Sequence, residues 1–286
     1  MNKAPLPLSP DELAAFVALV LAEDVGKGDL TSTATIPPDL SLKAAMVARE
    51  PLIVAGLPLA RAVFKACDPA CTFESELPEG CPCKGGETIL VIKGNARALL
   101  TAERSALNIL QHLSGIATLT NRYVKLISHT GCVLLDTRKT VPGLRKLAKY
   151  ATRMGGAQNH RQRLDDGILI KDNHIARAGG ITAAVKAARR HDLSQSQFGI
   201  EVECDTLEQL REAIAAGADR VLLDNMTLGQ LREAVSITAG RLPLEASGGV
   251  TLETIAGIAE TGVDYVSVGR ITQSAPAVDI GLDYLD

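Results

Sequence analysis

Between Thr137 and Leu164 the chain carries eight Lys or Arg residues (138, 139, 145, 146, 149, 153, 161 and 163) and no Asp or Glu. Like charges about 4 Å apart repel by about 4 kcal/mol at an effective dielectric of 20, so converging them calls for an anionic ligand. Arg presents a planar fork that matches a carboxylate, and Lys a point charge that suits phosphate. Arg138, Lys139, Arg161 and Lys171 fall at strand ends or beside the Gly155-Gly156 loop and are the aimed cations. Arg145, Lys146, Lys149 and Arg153 have the spacing of a solvated helix face. The segment therefore implies a ligand bearing carboxylates beside one bearing phosphates.

Acids lie across from these cations in later segments. Glu201 and Glu203 share one face of a strand, and Asp224 ends the next. Carboxylates in a basic, phosphate-binding mouth would hold ribose hydroxyls or a Mg²⁺ that itself carries phosphates, the alternative being salt bridges only. His160 either donates to a ligand carboxylate or braces its loop. Ser247-Gly248-Gly249, placed between a strand and a helix starting near Leu252, reads as a phosphate cradle of bare backbone N–H groups and a helix N-terminus. Gly269 after the last strand adds a second close backbone approach.

The elements that must position these groups follow from the rhythm of the second half. Apolar runs at Cys132–Leu135, Gly167–Ile170, Gly199–Val202, Arg220–Leu223, Leu242–Ala246 and Tyr265–Val268 alternate with helical stretches. Nearly continuous apolar strands, each followed by a helix, mean a parallel sheet covered by helices. Each strand ends in polar residues, among them Thr137, Arg138, Lys171, Glu203, Asp224, Ser247 and Arg270, as the mouth of an α/β barrel requires. No Gly-x-Gly-x-x-Gly turn is present, so an incomplete barrel of six or seven strands fits better than a doubly wound sheet. Residues 1–112 read as an α/β sandwich domain, with the tail 276–286 expected to pack on it, and 113–275 as the barrel domain.

Composition narrows the partners. Net charge is −3 from 30 basic and 33 acidic residues, and aromatics are 3% with no Trp. Neither a global pull on nucleic acid nor a stacking surface for single strands is present. Ser9-Pro10-Asp11-Glu12 reads as a helix start, and the apolar run Ala14–Ala22 is too short to span a bilayer. Six cysteines (67, 71, 81, 83, 132 and 204) lack zinc-site spacing and read as thiols in a reducing cytoplasm. Arg104, Asn108 and Gln111 form a polar stripe on a long helix predicted over Arg97–His129.

In order along the chain, these motifs resemble the quinolinate phosphoribosyltransferase family. The similarity begins at Glu23-Asp24-Val25-Gly26-Lys27-Gly28-Asp29-Leu30-Thr31 and includes Ala102–Asn108, Leu113–Thr118 and Asp136-Thr137-Arg138-Lys139-Thr140. It continues through Asn159-His160-Arg161, Ile170–His174, Glu201-Val202-Glu203, Leu223-Asp224-Asn225 and Ser247-Gly248-Gly249. The resemblance implies a decarboxylating transfer of phosphoribosyl from phosphoribosyl pyrophosphate to quinolinate, with Mg²⁺ and no organic cofactor. It implies a homodimer with a shared active site, a hexamer being the larger alternative. Arg138, His160, Arg161 and Lys171 would bind the two carboxylates, and Arg104 would enter from the neighbouring subunit. Lys139, Glu203, Asp224, Ser247, Gly248, Gly249 and Gly269 would hold the donor, and Thr137, Glu201 and Arg270 would also contact substrate, with Lys139, Lys171, Glu203 and Asp224 catalytic and Glu203 and Asp224 on Mg²⁺. The chain departs from the family pattern at Met154-Gly155-Gly156-Ala157 and at Arg270 and Gln273. A related enzyme acting on another anion, a Schiff-base aldolase using Lys171 and a non-catalytic anion binder are the alternatives.

Overall fold

The computed structural model describes residues 5–191 and 199–285. Residues 1–4 of the expected sandwich region and Asp286 of the tail lie outside them. In chain order the first elements are α1 (Pro10–Val25), α2 (Leu30–Thr35), β1 (Ser41–Ala48), β2 (Leu52–Ile53) and α3 (Leu57–Cys67). Next come β3 (Thr72–Glu76), β4 (Pro82–Cys83), β5 (Thr88–Asn95) and the long α4 (Ala96–Ile127). Then come β6 (Val133–Leu135), α5 (Arg145–Met154), β7 (Ile168–Ile170), α6 (Asp172–Ala178) and α7 (Ile181–Ala188). The series closes with β8 (Ile200–Cys204), α8 (Leu207–Ala216), β9 (Arg220–Asp224), α9 (Leu228–Thr238) and β10 (Leu244–Ser247). Last are α10 (Ile255–Ala259), β11 (Tyr265–Ser267), α11 (Arg270–Gln273) and β12 (Ile280–Leu285).

The chain divides into two compact units. One comprises Met1–Asn121, Lys146–Gly156 and Ser274–Asp286, the other Arg122–Arg145 and Ala157–Gln273. In the first, an antiparallel sheet runs β12-β1-β5-β3. The C-terminal strand β12 supplies one edge, pairing Lys43 with Leu285 through Ala48 with Ile280. Helix α1 starts where the sequence signals it: Ser9 Oγ accepts from Glu12 N at 3.2 Å while Ser9 N donates to Glu12 Oε2 at 3.0 Å. On α4, Gln111 spends its amide on Ile280 O (2.8 Å), whereas Arg104 and Asn108 stand exposed.

Helix α5 corrects one expectation. Of Arg145, Lys146, Lys149 and Arg153 only Lys146 is exposed, and Lys149 is fully buried. The helix turns Leu147, Ala148, Tyr150, Ala151 and Met154 inward, and the Tyr150 hydroxyl donates to Glu79 at 2.5 Å. Its contacts give it a packed role, so it is not a solvated face.

The second unit carries a six-stranded parallel sheet in the order β6-β11-β10-β9-β8-β7. Five strands follow one another in sequence order, and β6 pairs with β11, which carries the sheet round upon itself. Among the described residues no strand pairing joins β6 to β7, and Gln158 forms an isolated parallel bridge to Leu135. This is an incomplete α/β barrel with six strands. Thr206 and Thr227 cap α8 and α9 in capping boxes with Gln209 and Gln230, which locates those helices sharply. Among the described residues no helix is long and apolar enough to cross a membrane.

Candidate active site

Strand period 2 sends alternate residues into the barrel, and the C-terminal ends of its strands open on one mouth. A cavity of about 450 Å³ sits there, lined by Thr137, Arg138, Lys139, His160, Arg161, Lys171, Glu203, Asp224 and Ser247 among the expected residues. Leu169, Leu222, Glu245 and Ser267 complete its wall and floor. An adjoining space of about 200 Å³ shares Thr137, Lys139, Ser247 and Ser267 with it and adds Gly248, Gly249, Gly269, Arg270 and Gln273. A larger groove of about 630 Å³ follows β7, but it has no carboxylate and is mostly aliphatic, so the acid-and-base chemistry lies in the mouth.

The cations are held by backbone. Lys139 N donates to Thr137 Oγ1 at 3.0 Å, and Lys139 O accepts from Thr272 Oγ1 at 2.7 Å, which fixes the loop that presents the lysine. Arg145 reaches Thr140 Oγ1 (3.2 Å), Gln162 O (3.3 Å) and Arg138 O (3.4 Å), tying the two basic loops together. Arg161 is buried and donates from Nη1 to Gly167 O at 2.9 Å. Burial pushes its pKa down, and the neighbouring Arg138 pushes the same way. Arg138 Nε is itself buried without a hydrogen-bond partner. Two guanidiniums side by side, one with an unsatisfied N–H, make a site for a planar anion.

The acids of the same cavity have partners of their own. Glu203 ion-pairs with the Lys171 ammonium, while Asp224 Oδ2 accepts from Asn225 Nδ2 at 2.7 Å. Burial and Asp205 raise the Asp224 pKa, opposed by Lys171 and Lys139. These hard oxygen donors on adjacent strands suit a divalent cation such as Mg²⁺. Gly248 has φ +91° and approaches Asn225 so closely that a Cβ would lie 2.2 Å from its Oδ1, so only glycine fits.

Several expectations change on contact with the coordinates. Glu201, expected among the substrate contacts, lies beneath the cavity, where Arg220 and His160 engage it and seal it from the mouth. His160 borders the cavity, but Nε2 faces Glu201 Oε2 at 2.9 Å and Nδ1 accepts from Arg161 N at 2.7 Å. Burial opposes charge on this ring, whereas Glu201 and Glu245 favour it and push its pKa up to about 9; the Arg161 N–H at Nδ1 works against a second ring proton. Both nitrogens are engaged within the protein, so the ring serves as a wall and brace and not as a donor to ligand. The regular helix after the glycines begins at Ile255 and not near Leu252, because Thr251 and Thr254 close a turn first (Thr251 N to Thr254 Oγ1, 2.9 Å). The cradle is therefore glycine backbone without a helix N-terminus behind it. Arg104 stands on α4 of the first unit.

Glu245 and Arg220 escaped the reading of the sequence, and Asp136 was named there only within its motif. Asp136 Oδ1 accepts from His160 N at 2.9 Å and its Oδ2 from Asn159 Nδ2 at 2.6 Å. For Glu245, between Leu244 and Ala246, the available signal was a charge inside an otherwise apolar parallel strand.

Comparison with known proteins agrees with this geometry. Residues 29–114 match the model of the quinolinate phosphoribosyl transferase N-terminal domain, and 116–283 that of its C-terminal domain. The chain is 44% identical over 261 residues to a probable nicotinate-nucleotide pyrophosphorylase (carboxylating) of Bacillus subtilis, covering 91% of this chain and 89% of that one. A Synechocystis protein described in the same words is 43% identical, with 98% and 96% covered. The solved nicotinate-nucleotide pyrophosphorylase of Francisella tularensis superposes with a TM-score of 0.92 at 41% identity, covering 99% of this chain and 100% of that one.

Proposed function

The chain belongs to the quinolinate phosphoribosyltransferase family, and from that membership we propose that its barrel mouth joins quinolinate to phosphoribosyl pyrophosphate. The products are nicotinate mononucleotide, pyrophosphate and CO₂, a step of NAD synthesis. The observation that carries this reading is the Arg138–Arg161 pair, with a buried unsatisfied Nε–H on Arg138, in a cavity where Glu203 is already paired with Lys171, next to a second compartment of Lys139 and bare glycines. One compartment suits a dicarboxylate and the other a phosphorylated sugar.

Arg138 and Arg161 grip the acceptor's carboxylates, and Leu169 and Leu222 give its ring an apolar wall. So held, the ring nitrogen is aimed at ribose C1. The new N–C1 bond forms as the C1–O bond breaks, its electron pair leaving with pyrophosphate. Lys139 stands where that negative charge grows, and Asp224 and Glu203 face the cationic sugar. The pyridinium nitrogen then accepts the electrons of the adjacent C–CO₂ bond, CO₂ departs, and a solvent proton takes the ring carbon. Glu203 and Asp224 would hold Mg²⁺, which when bound neutralises the phosphates. Lys171, engaged by Glu203 and 44% exposed, lacks the desolvated setting of an imine-forming lysine, so the aldolase reading gains no support.

We infer a homodimer in which Arg104 of the partner subunit completes the acid subsite, supported by its exposed place on α4. Six free cysteines support a reducing compartment, the cytoplasm. The test is to supply quinolinate carrying a labelled C2 carboxyl, phosphoribosyl pyrophosphate and Mg²⁺, and to measure labelled CO₂ with nicotinate mononucleotide. Both appear in equal amounts if the reading holds; neither appearing would refute it.

A further inference from the structure

Below the cavity floor the barrel interior is charged. Glu201 on β8 and Arg220 on β9, with Tyr265 on β11, meet Glu245 of β10 at the cavity floor, where barrels usually stack branched aliphatic side chains. Arg220 Nε lies 3.1 Å from Glu201 Oε1, and its Nη2 lies 2.8 Å from Glu245 Oε2. Its guanidinium carbon sits 3.9 Å from the centre of the Tyr265 ring. His160 closes the cluster, with Nε2 at 2.9 Å from Glu201 and 3.5 Å from Glu245.

Stability does not account for this arrangement. Burying each ion costs several kcal/mol, and well-packed apolar residues in the same volume are often as stable or more so. Nor is the cluster a metal centre, although His160, Glu201 and Glu245 converge closely enough for one. Arg220 already occupies the cation's place between the two carboxylates. Its connection to the cavity is through His160. The ring that Glu201 holds from below accepts the Arg161 amide at Nδ1, and Asp136 pins the His160 amide. The backbone that launches Arg161 is thus set by the buried charges.

We propose that Glu201, Arg220 and Glu245 are positioning residues that fix the His160 ring and, through it, the spacing of Arg161 from Arg138, so that the cavity recognises a planar dicarboxylate. This rests on the functional reading above.

The test uses the full-length protein and separates the two substrates. Arg220→Met, Arg220→Lys and Glu245→Gln are compared with wild type for KM toward quinolinate, KM toward phosphoribosyl pyrophosphate, and Tm. Binding of benzene-1,2-dicarboxylate, which has the adjacent carboxylates but no nucleophilic nitrogen, is measured by calorimetry. Arg220→Met should weaken both the quinolinate KM and this binding by about ten- to a hundredfold, as a misplacement near 1 Å does. The donor KM should stay within about twofold, and Arg220→Lys should recover part of the loss. If Arg220→Met fails to fold, the near-isosteric Glu245→Gln gives the same comparison. Unchanged dicarboxylate binding in a folded variant, or an equal rise in both KM values, overturns the brace. Wild-type binding without turnover would instead condemn the reaction assignment, leaving the brace to be decided by binding alone. Absence of wild-type binding would overturn both.

Discussion

Replacing Gly269 with Ala offers a way to move one lysine without changing it. Gly269 follows β11, and a Cβ built there would lie 2.8 Å from Lys139 Cδ and 3.4 Å from Thr137 Oγ1. Nothing about its backbone demands glycine, so the cost falls on the lysine stem, which must retreat by about 1 Å and carry its ammonium about 1–2 Å with it. At an effective dielectric of 20, an ammonium drawn from about 4 Å to 5–6 Å from one phosphate charge loses about 0.8–1.4 kcal/mol. That converts to about a four- to tenfold fall in kcat/KM for phosphoribosyl pyrophosphate. Steady-state kinetics with the donor varied at saturating quinolinate measure it, with Lys139→Ala marking the full loss and Tm reporting the fold. Quinolinate KM should hardly move, because Arg138 and Arg161 are untouched. A Gly269→Ala enzyme with wild-type donor kinetics beside an impaired Lys139→Ala enzyme would refute the reasoning, since the lysine would then not depend on the space glycine leaves.

Arg104→Ala and Lys171→Ala should each be inactive, yet recover about a quarter of wild-type activity when mixed and allowed to exchange subunits, since half the dimers then hold one intact site. No recovery, with exchange shown by mass spectrometry, would count against a site shared between subunits. Chelation with EDTA should abolish turnover, restored by Mg²⁺, while leaving benzene-1,2-dicarboxylate binding intact; loss of that binding would mean the metal serves the acid subsite. Asp29 caps α2, and hydrogen bonds from the Ser32 hydroxyl and amide hold its pKa below 3.8. A depressed carboxylate stabilises the fold above 3.8 and loses that contribution as pH falls through its lowered value. The Tm advantage of wild type over Asp29→Asn should therefore be full near neutrality and shrink in acid; a constant gap would assign it to cap geometry alone.

The order and type of the barrel strands follow from local pattern. Apolar runs such as Val221-Leu222-Leu223 pair best as buried parallel strands, and Thr206 and Thr227 start their helices by capping chemistry that needs no distant partner. The convergence of Arg138, Lys139, Arg161, Lys171, Glu203 and Asp224 was legible too, because strand ends in a barrel share one mouth. What sequence periodicity leaves open is depth. Glu201 and Glu203 lie on the same face, and strand direction puts Glu203 nearer the mouth, but only packing closes Glu201 off from it behind Arg220 and His160. The fates of His160, claimed from both sides by Glu201 and Arg161, and of Lys149, buried on a helix that reads as solvated, were likewise decided by packing. Residue types and spacing thus determined which chemistry this chain carries. Tertiary structure decided which charges face a ligand and which face each other, because burial and pairing depend on neighbours far away in sequence.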